Sequence, residues 1–90
     1  MALMGVEKAS KEEIEKRGAL QWPTWEKEVS CFDRHYDNTE ECYLLEGRVI
    51  VETEDHGRVE FGKGDFVTFP KGLSCTWDVQ EPVKKHYNFT

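Results

Sequence analysis

From Gln21 onward the chain is cut every few residues by turn-forming groups: "EGR", "EDHGR", "GKGD", "PKG" and "QEP". Between them lie short runs rich in Val, Ile, Phe, Tyr and Trp: "WEKEVSCF", "ECYLLE", "RVIVETE", "RVEF", "DFVTFP", "LSCTWDV" and "VKKHYNF". None of these runs is long enough for a core helix, and their β-branched and aromatic content fits a pleated surface. Seven short strands joined by tight turns predict an all-β sandwich or barrel.

The exception is "SKEEIEKRG", in which Ser10 caps a helix, Glu13 completes a capping box and Gly18 ends the segment. Ile14 is its only large apolar residue, so a short peripheral helix is expected. Residues 1–20 then form an N-terminal extension and 21–90 the barrel domain. At 90 residues there is room for one modest core and one pocket. The aromatic content of 12% excludes a disordered chain.

A net charge of −6 and a pI near 5.0 repel nucleic-acid phosphates and anionic membranes, and no stretch reaches the length of a membrane span. The one basic cluster, Lys84, Lys85 and His86, reads as a solvated strand end. Three cysteines without a CxxC pair form neither a disulfide framework nor a zinc ribbon, and "MALMGVEKAS" is no secretory signal. A reducing compartment, the cytoplasm, is the expectation. A redox sensor built on Cys31 or Cys42 would need an exposed thiol of low pKa.

Alternation suggests which side chains share a pocket. Leu73, Cys75, Trp77 and Val79 form one apolar face, and Glu40, Cys42 and Leu44 form another. If "VSCFDRH" stays extended, Val29, Cys31, Asp33 and His35 share a third face, and the three could meet.

Two glycine-anchored strings carry a family likeness: "ECYLLEGRVIV", with Glu40 and Gly47, and "GDFVTFPKGLSC", with Gly64, Pro70 and Gly72. They resemble the two signature motifs of the cupin superfamily. "WPTWEKEV", "YLLEGRV", "KGDFVTFPKGL" and "CTWDV" look more narrowly like small stand-alone cupins grouped with the ureidoglycine aminohydrolase cupin domain and the ethanolamine-utilisation cupins. The resemblance implies a single-domain cupin (RmlC-like) β-barrel or jelly roll and a small polar ligand. It also implies one divalent metal (Mn, Fe, Zn or Ni) where the family's ligands are kept. Carried over residue by residue, Glu40 falls on the carboxylate ligand, His35 on the second histidine, Asp33 on the first and Cys75 on the last. A spacing one residue shorter would instead put Arg34 and Tyr36 on the histidine positions and leave Glu40 nearly alone.

Under the first register the metal set is Asp33, His35, Glu40 and Cys75. A mixture of thiolate, imidazole and carboxylate matches no single one of these metals well. Glu40 and His35 could also act together as general acid and base, in a pocket lined by Cys75, Trp77 and Tyr43. Against these stand a core Cys75, which packs as a small hydrophobe, and a structural pair of Glu40 with His35 or Arg48. An enzyme related to ureidoglycine aminohydrolase and a non-catalytic binding or structural module, metal-free, are both compatible with the residues. Trp22, Trp25, Tyr43, Phe66, Phe69 and Trp77 exceed what one face of a small barrel hides, which suggests a homodimer.

Overall fold

The computed structural model describes residues 4–53 and 57–90. Seven strands form one antiparallel sheet: β1 (Gly5–Lys8), β2 (Thr24–Lys27), β3 (Ser30–His35), β4 (Glu40–Thr53), β5 (Gly57–Gly62), β6 (Asp65–Phe69) and β7 (Ser74–Phe89). A helix, α1 (Lys11–Lys16), and a 3-10 turn, Ala19–Gln21, separate β1 from β2. The seven expected runs supply only six of these strands, and the seventh, β1, lies in the N-terminal extension, where none was expected, and pairs with β6. "ECYLLE" and "RVIVETE" belong to the single strand β4, "LSCTWDV" and "VKKHYNF" to the single strand β7, and "WEKEVSCF" is split between β2 and β3. The expected "EDHGR" turn falls largely on 54–56, outside the described residues.

The long strands β4 and β7 make the barrel. The first part of β4 pairs with β6, its second part pairs with β5, and β7 runs antiparallel to it throughout. β7 in turn carries β3 along Ser74–Val79 and β2 along Val83–His86. Each long strand therefore serves both halves of the barrel, and the sheet folds over where the β4–β7 register shifts, between Leu44 and Val49.

Gly47 sits at that fold, inside a strand rather than at the hairpin turn expected for it. Its φ is +103°, and a Cβ there would lie 2.5 Å from the Pro82 carbonyl oxygen and 2.7 Å from the Val83 Cα. Only glycine, with no Cβ, accommodates both that conformation and so close a backbone approach.

Alternation decides what fills the interior. Glu40, Cys42 and Leu44 on β4 and Cys75, Trp77 and Val79 on β7 are buried, as the sequence pattern suggests. They join Tyr36, Val49, Val51, Phe61, Val67 and Phe69 in one core. A second cluster of Ile14, Ala19 and Phe66, with Trp22 and Tyr43 against it, lies beneath the N-terminal segment on the other side of the sheet. There the Ser10 hydroxyl accepts from the Glu13 N–H at 3.2 Å, and Arg17 stacks over Phe66 with 4.4 Å to the ring centre. The six aromatics that suggested a homodimer thus find apolar neighbours within one chain, three beneath the N-terminal segment and three in the barrel, so they supply no argument for a second copy.

Candidate functional site

β3 has the opposite register to the one that would bring Asp33 and His35 inward. Its inner face carries Phe32 and Arg34, continued by Tyr36, while Cys31, Asp33 and His35 are exposed. The reason is apolar area. Phe32 stacks on Trp77 at 5.9 Å between ring centres and Tyr36 stacks on Phe69 at 4.7 Å, which buries far more surface than Val29 and Cys31 could. Because side chains alternate strictly, that choice turns Asp33 and His35 to solvent. Asp33 accepts from the Thr76 hydroxyl at 2.9 Å, and His35 Nδ1 meets the Ser74 Oγ at 2.7 Å. Of the expected metal set Asp33, His35, Glu40 and Cys75, only Glu40 and Cys75 lie inside the barrel. Glu40 and His35 are on opposite faces and cannot exchange a proton directly. Tyr43, expected in the pocket, packs beneath the N-terminal segment instead.

Glu40, fully buried, is held by two cations. Arg34 donates from Nη2 to Oε1 at 2.9 Å, and Lys85 donates from Nζ to Oε2 at 2.5 Å. The partners considered from sequence, His35 and Arg48, are not the ones used; Arg48 pairs with Glu60 and Glu81 outside. Lys85 is 1% exposed, so it is no part of a solvated strand end. Its ammonium lies 4.8 Å from the Trp77 ring centre, 4.9 Å from Trp25 and 6.0 Å from Phe69. The aromatic faces supply negative electrostatic potential where water is excluded.

Around this group the ionisable side chains are kept neutral. Tyr36 accepts from the Trp77 indole N–H at 3.0 Å. Burial, reinforced by the Glu40 charge, pushes its phenol far above the ordinary value. Burial pushes the Cys42 thiol up to about 12. It raises Cys75 as well, against the opposing pull of Arg34.

A divalent metal does not fit these donors. Glu40 already shares both oxygens with protein cations, and a second positive charge would stand beside Arg34 and Lys85. Burial disfavours the Cys75 thiolate that a metal would need. No group of three or more His, Cys, Asp or Glu among the described residues could hold an ion.

Only one member of the charged group reaches solvent. The Arg34 side chain is 26% exposed. It lines a cleft of about 400 Å³ between the β3–β4 connection and the end of β7, with Asp33, Asp37 and Phe89 as neighbours. Phe89 is 48% exposed and stands edge-on to Tyr87 at 5.7 Å. Sequence reasoning missed Lys85, although Val83, Lys85, Tyr87 and Phe89 alternate on one face of β7, and that was the available signal.

Comparison with known proteins agrees with this architecture. A DUF861 family protein from Thermotoga maritima is 52% identical over 98% of this chain and 100% of its own, with a TM-score of 0.94. A Pseudomonas syringae protein of the same family is 28% identical over 74% of this chain and 29% of its own, with a TM-score of 0.67. The Clostridium difficile EutQ protein, 20% identical with a TM-score of 0.66, shares the fold; 73% of this chain matches 52% of that one. No curated protein matches the sequence. The EutQ-like cupin domain matches residues 14–87, from the second half of α1 through β2 to β6 and most of β7, and the chain belongs to that cupin family.

Proposed function

We propose that this protein is a small-molecule-binding cupin that takes a small polar ligand at the barrel mouth without a metal. One observation carries the reading: Arg34, Glu40 and Lys85 put two cations against one carboxylate inside the barrel, and Arg34 alone opens onto a cleft. A purely structural ion group would be stable with one cation per carboxylate. The third charge, at the mouth, suits a ligand with hydrogen-bond acceptors. A metal-dependent activity like that of ureidoglycine aminohydrolase finds no support in this donor set.

The rival reading is a structural module whose interior charges only hold β3, β4 and β7 together. The complete burial of Glu40 and Lys85 favours it. Nuclear magnetic resonance titration with a panel of small polar compounds separates the two. Ligand-dependent shifts at Arg34, Asn38 and Phe89 support binding at the mouth. A panel that moves no mouth resonance at millimolar concentration refutes it.

A further inference from the structure

We infer that the ligand class of this mouth is a small monocarboxylate with a flat apolar body, an inference that rests on the binding role proposed above. Three features of the cleft lead to it.

The first is charge. Arg34 and Lys85 exceed Glu40 by one positive charge, and the surplus sits where the dielectric is low and a single negative charge on a ligand gains most. Arg34 commits Nη2 to Glu40, and a guanidinium carries five N–H donors in a planar fork that matches a carboxylate edge.

The second is what surrounds the arginine. Asp33 and Asp37 line the same cleft, the latter with its side chain 90% exposed, and the whole chain carries a net charge of −6. A second negative charge on the ligand would face these carboxylates, and His35, the one other basic residue in the lining, is already engaged by Ser74 and Asp37. A cationic ligand would meet the rim acids but be repelled by Arg34 at the floor.

The third is the apolar wall. Phe89 exposes half its surface at the mouth and is held edge-on by Tyr87, while the backbone N–H of Thr90 donates to the Thr39 carbonyl at 2.9 Å and fixes the end of β7 there. Arg34 itself stands 5.0 Å over the Tyr36 ring, so the floor beneath the carboxylate is aromatic too. A planar ring or a short unsaturated chain would lie against Phe89 while its carboxylate meets Arg34.

The test compares benzoate, benzamide and benzamidine, which share one shape and differ in charge, together with terephthalate. Binding is followed by chemical shifts of the wild-type chain, Arg34→Gln and Phe89→Ala. Arg34→Gln leaves Glu40 and Lys85 as a neutral pair, and Phe89→Ala changes an exposed side chain, so a dispersed spectrum checks that each variant is folded. The expected result is benzoate preferred over benzamide by roughly tenfold or more. That preference is lost in Arg34→Gln, and overall affinity falls while the preference is kept in Phe89→Ala. Benzamide or benzamidine binding the mouth as well as benzoate, terephthalate binding more tightly, or a benzoate preference that survives in Arg34→Gln overturns the ligand class and leaves the mouth a binding site. No shift at the mouth with any of the four overturns the class and counts against the binding role as well.

Discussion

Replacing Glu40 with Gln removes the one negative charge between Arg34 and Lys85 while keeping the side chain's shape. Arg34 can turn its guanidinium toward water, but Lys85 is 1% exposed and walled by Trp25, Phe69 and Trp77. Breaking a buried pair from one side costs about 3–5 kcal/mol, because a charge is left without a counter-ion. The glutamine carbonyl still accepts one hydrogen bond, which returns about 1 kcal/mol. The expected loss is therefore about 2–4 kcal/mol. In a domain of this size that lowers Tm by roughly 10–30 °C. Urea unfolding at pH 7 measures it directly. Lys85→Met supplies the control, since it replaces the ammonium with an apolar group in an aromatic box and leaves Glu40 to Arg34; its cost should stay below about 2 kcal/mol. The double variant should regain at least half of what Glu40→Gln loses. A Glu40→Gln loss below about 1 kcal/mol, or a double variant no better than the single, would refute the idea that Glu40 is needed to keep Lys85 buried as a cation.

Chelator should leave Tm unchanged, and elemental analysis of untagged protein should find far less than one metal per chain; stoichiometric metal lost in both Glu40→Ala and Cys75→Ala would restore a metal site. Stability should fall on the alkaline side. Cys42 ionises near 9.0 in the unfolded chain but at about 12 when folded, so its contribution is intact below pH 9 and disappears as pH rises toward 12. The slope is about 1.4 kcal/mol per pH unit, with Tyr36 and Cys75 acting in the same direction. Urea midpoints from pH 8 to 10.5 that stay flat would contradict it. Of the three thiols only Cys31 is exposed, so alkylation of the native protein followed by mass analysis should add one label per chain; rapid modification of Cys75 would place it at the surface. Gly47→Ala should fail to yield folded protein or lose several kcal/mol, since its Cβ would collide with the backbone of Pro82 and Val83.

The all-β architecture was legible because turn residues and alternating apolar runs report directly on strands. The helix cap was legible because Ser10, Glu13 and Gly18 act locally. The partition of β4 and β7 was not, since Gly47 and Pro82 look like turn signals and only the opposite strand makes them bends within continuous strands. At the site, Glu40 on an inward face was readable as a charge in need of a partner. Which partner it takes depends on the register of β3, and there "CFDRHY" offers two alternations of similar polarity. The aromatic pair Phe32 and Tyr36 decides it through contacts with Trp77 and Phe69, which lie 45 and 33 positions further along the chain on other strands. Lys85 was hidden for a related reason. A lysine between Lys84 and His86 reads as solvated until the aromatic walls around it are assembled.

The bond between Lys85 and Glu40 spans 45 positions of the chain, whereas Arg34 lies only six positions from Glu40. During synthesis the carboxylate and its first cation emerge together, and the second arrives only when nearly all of β7 has followed. Until then the first part of β4 has no β7 beside it and its glutamate stays hydrated. Burying that side chain without Lys85 would leave its charge to Arg34 alone, so the closed mouth requires the last strand of the chain. Wherever β7 is not yet paired, that edge of β4 is open, and the charge of Glu40 on it discourages pairing with a neighbouring chain.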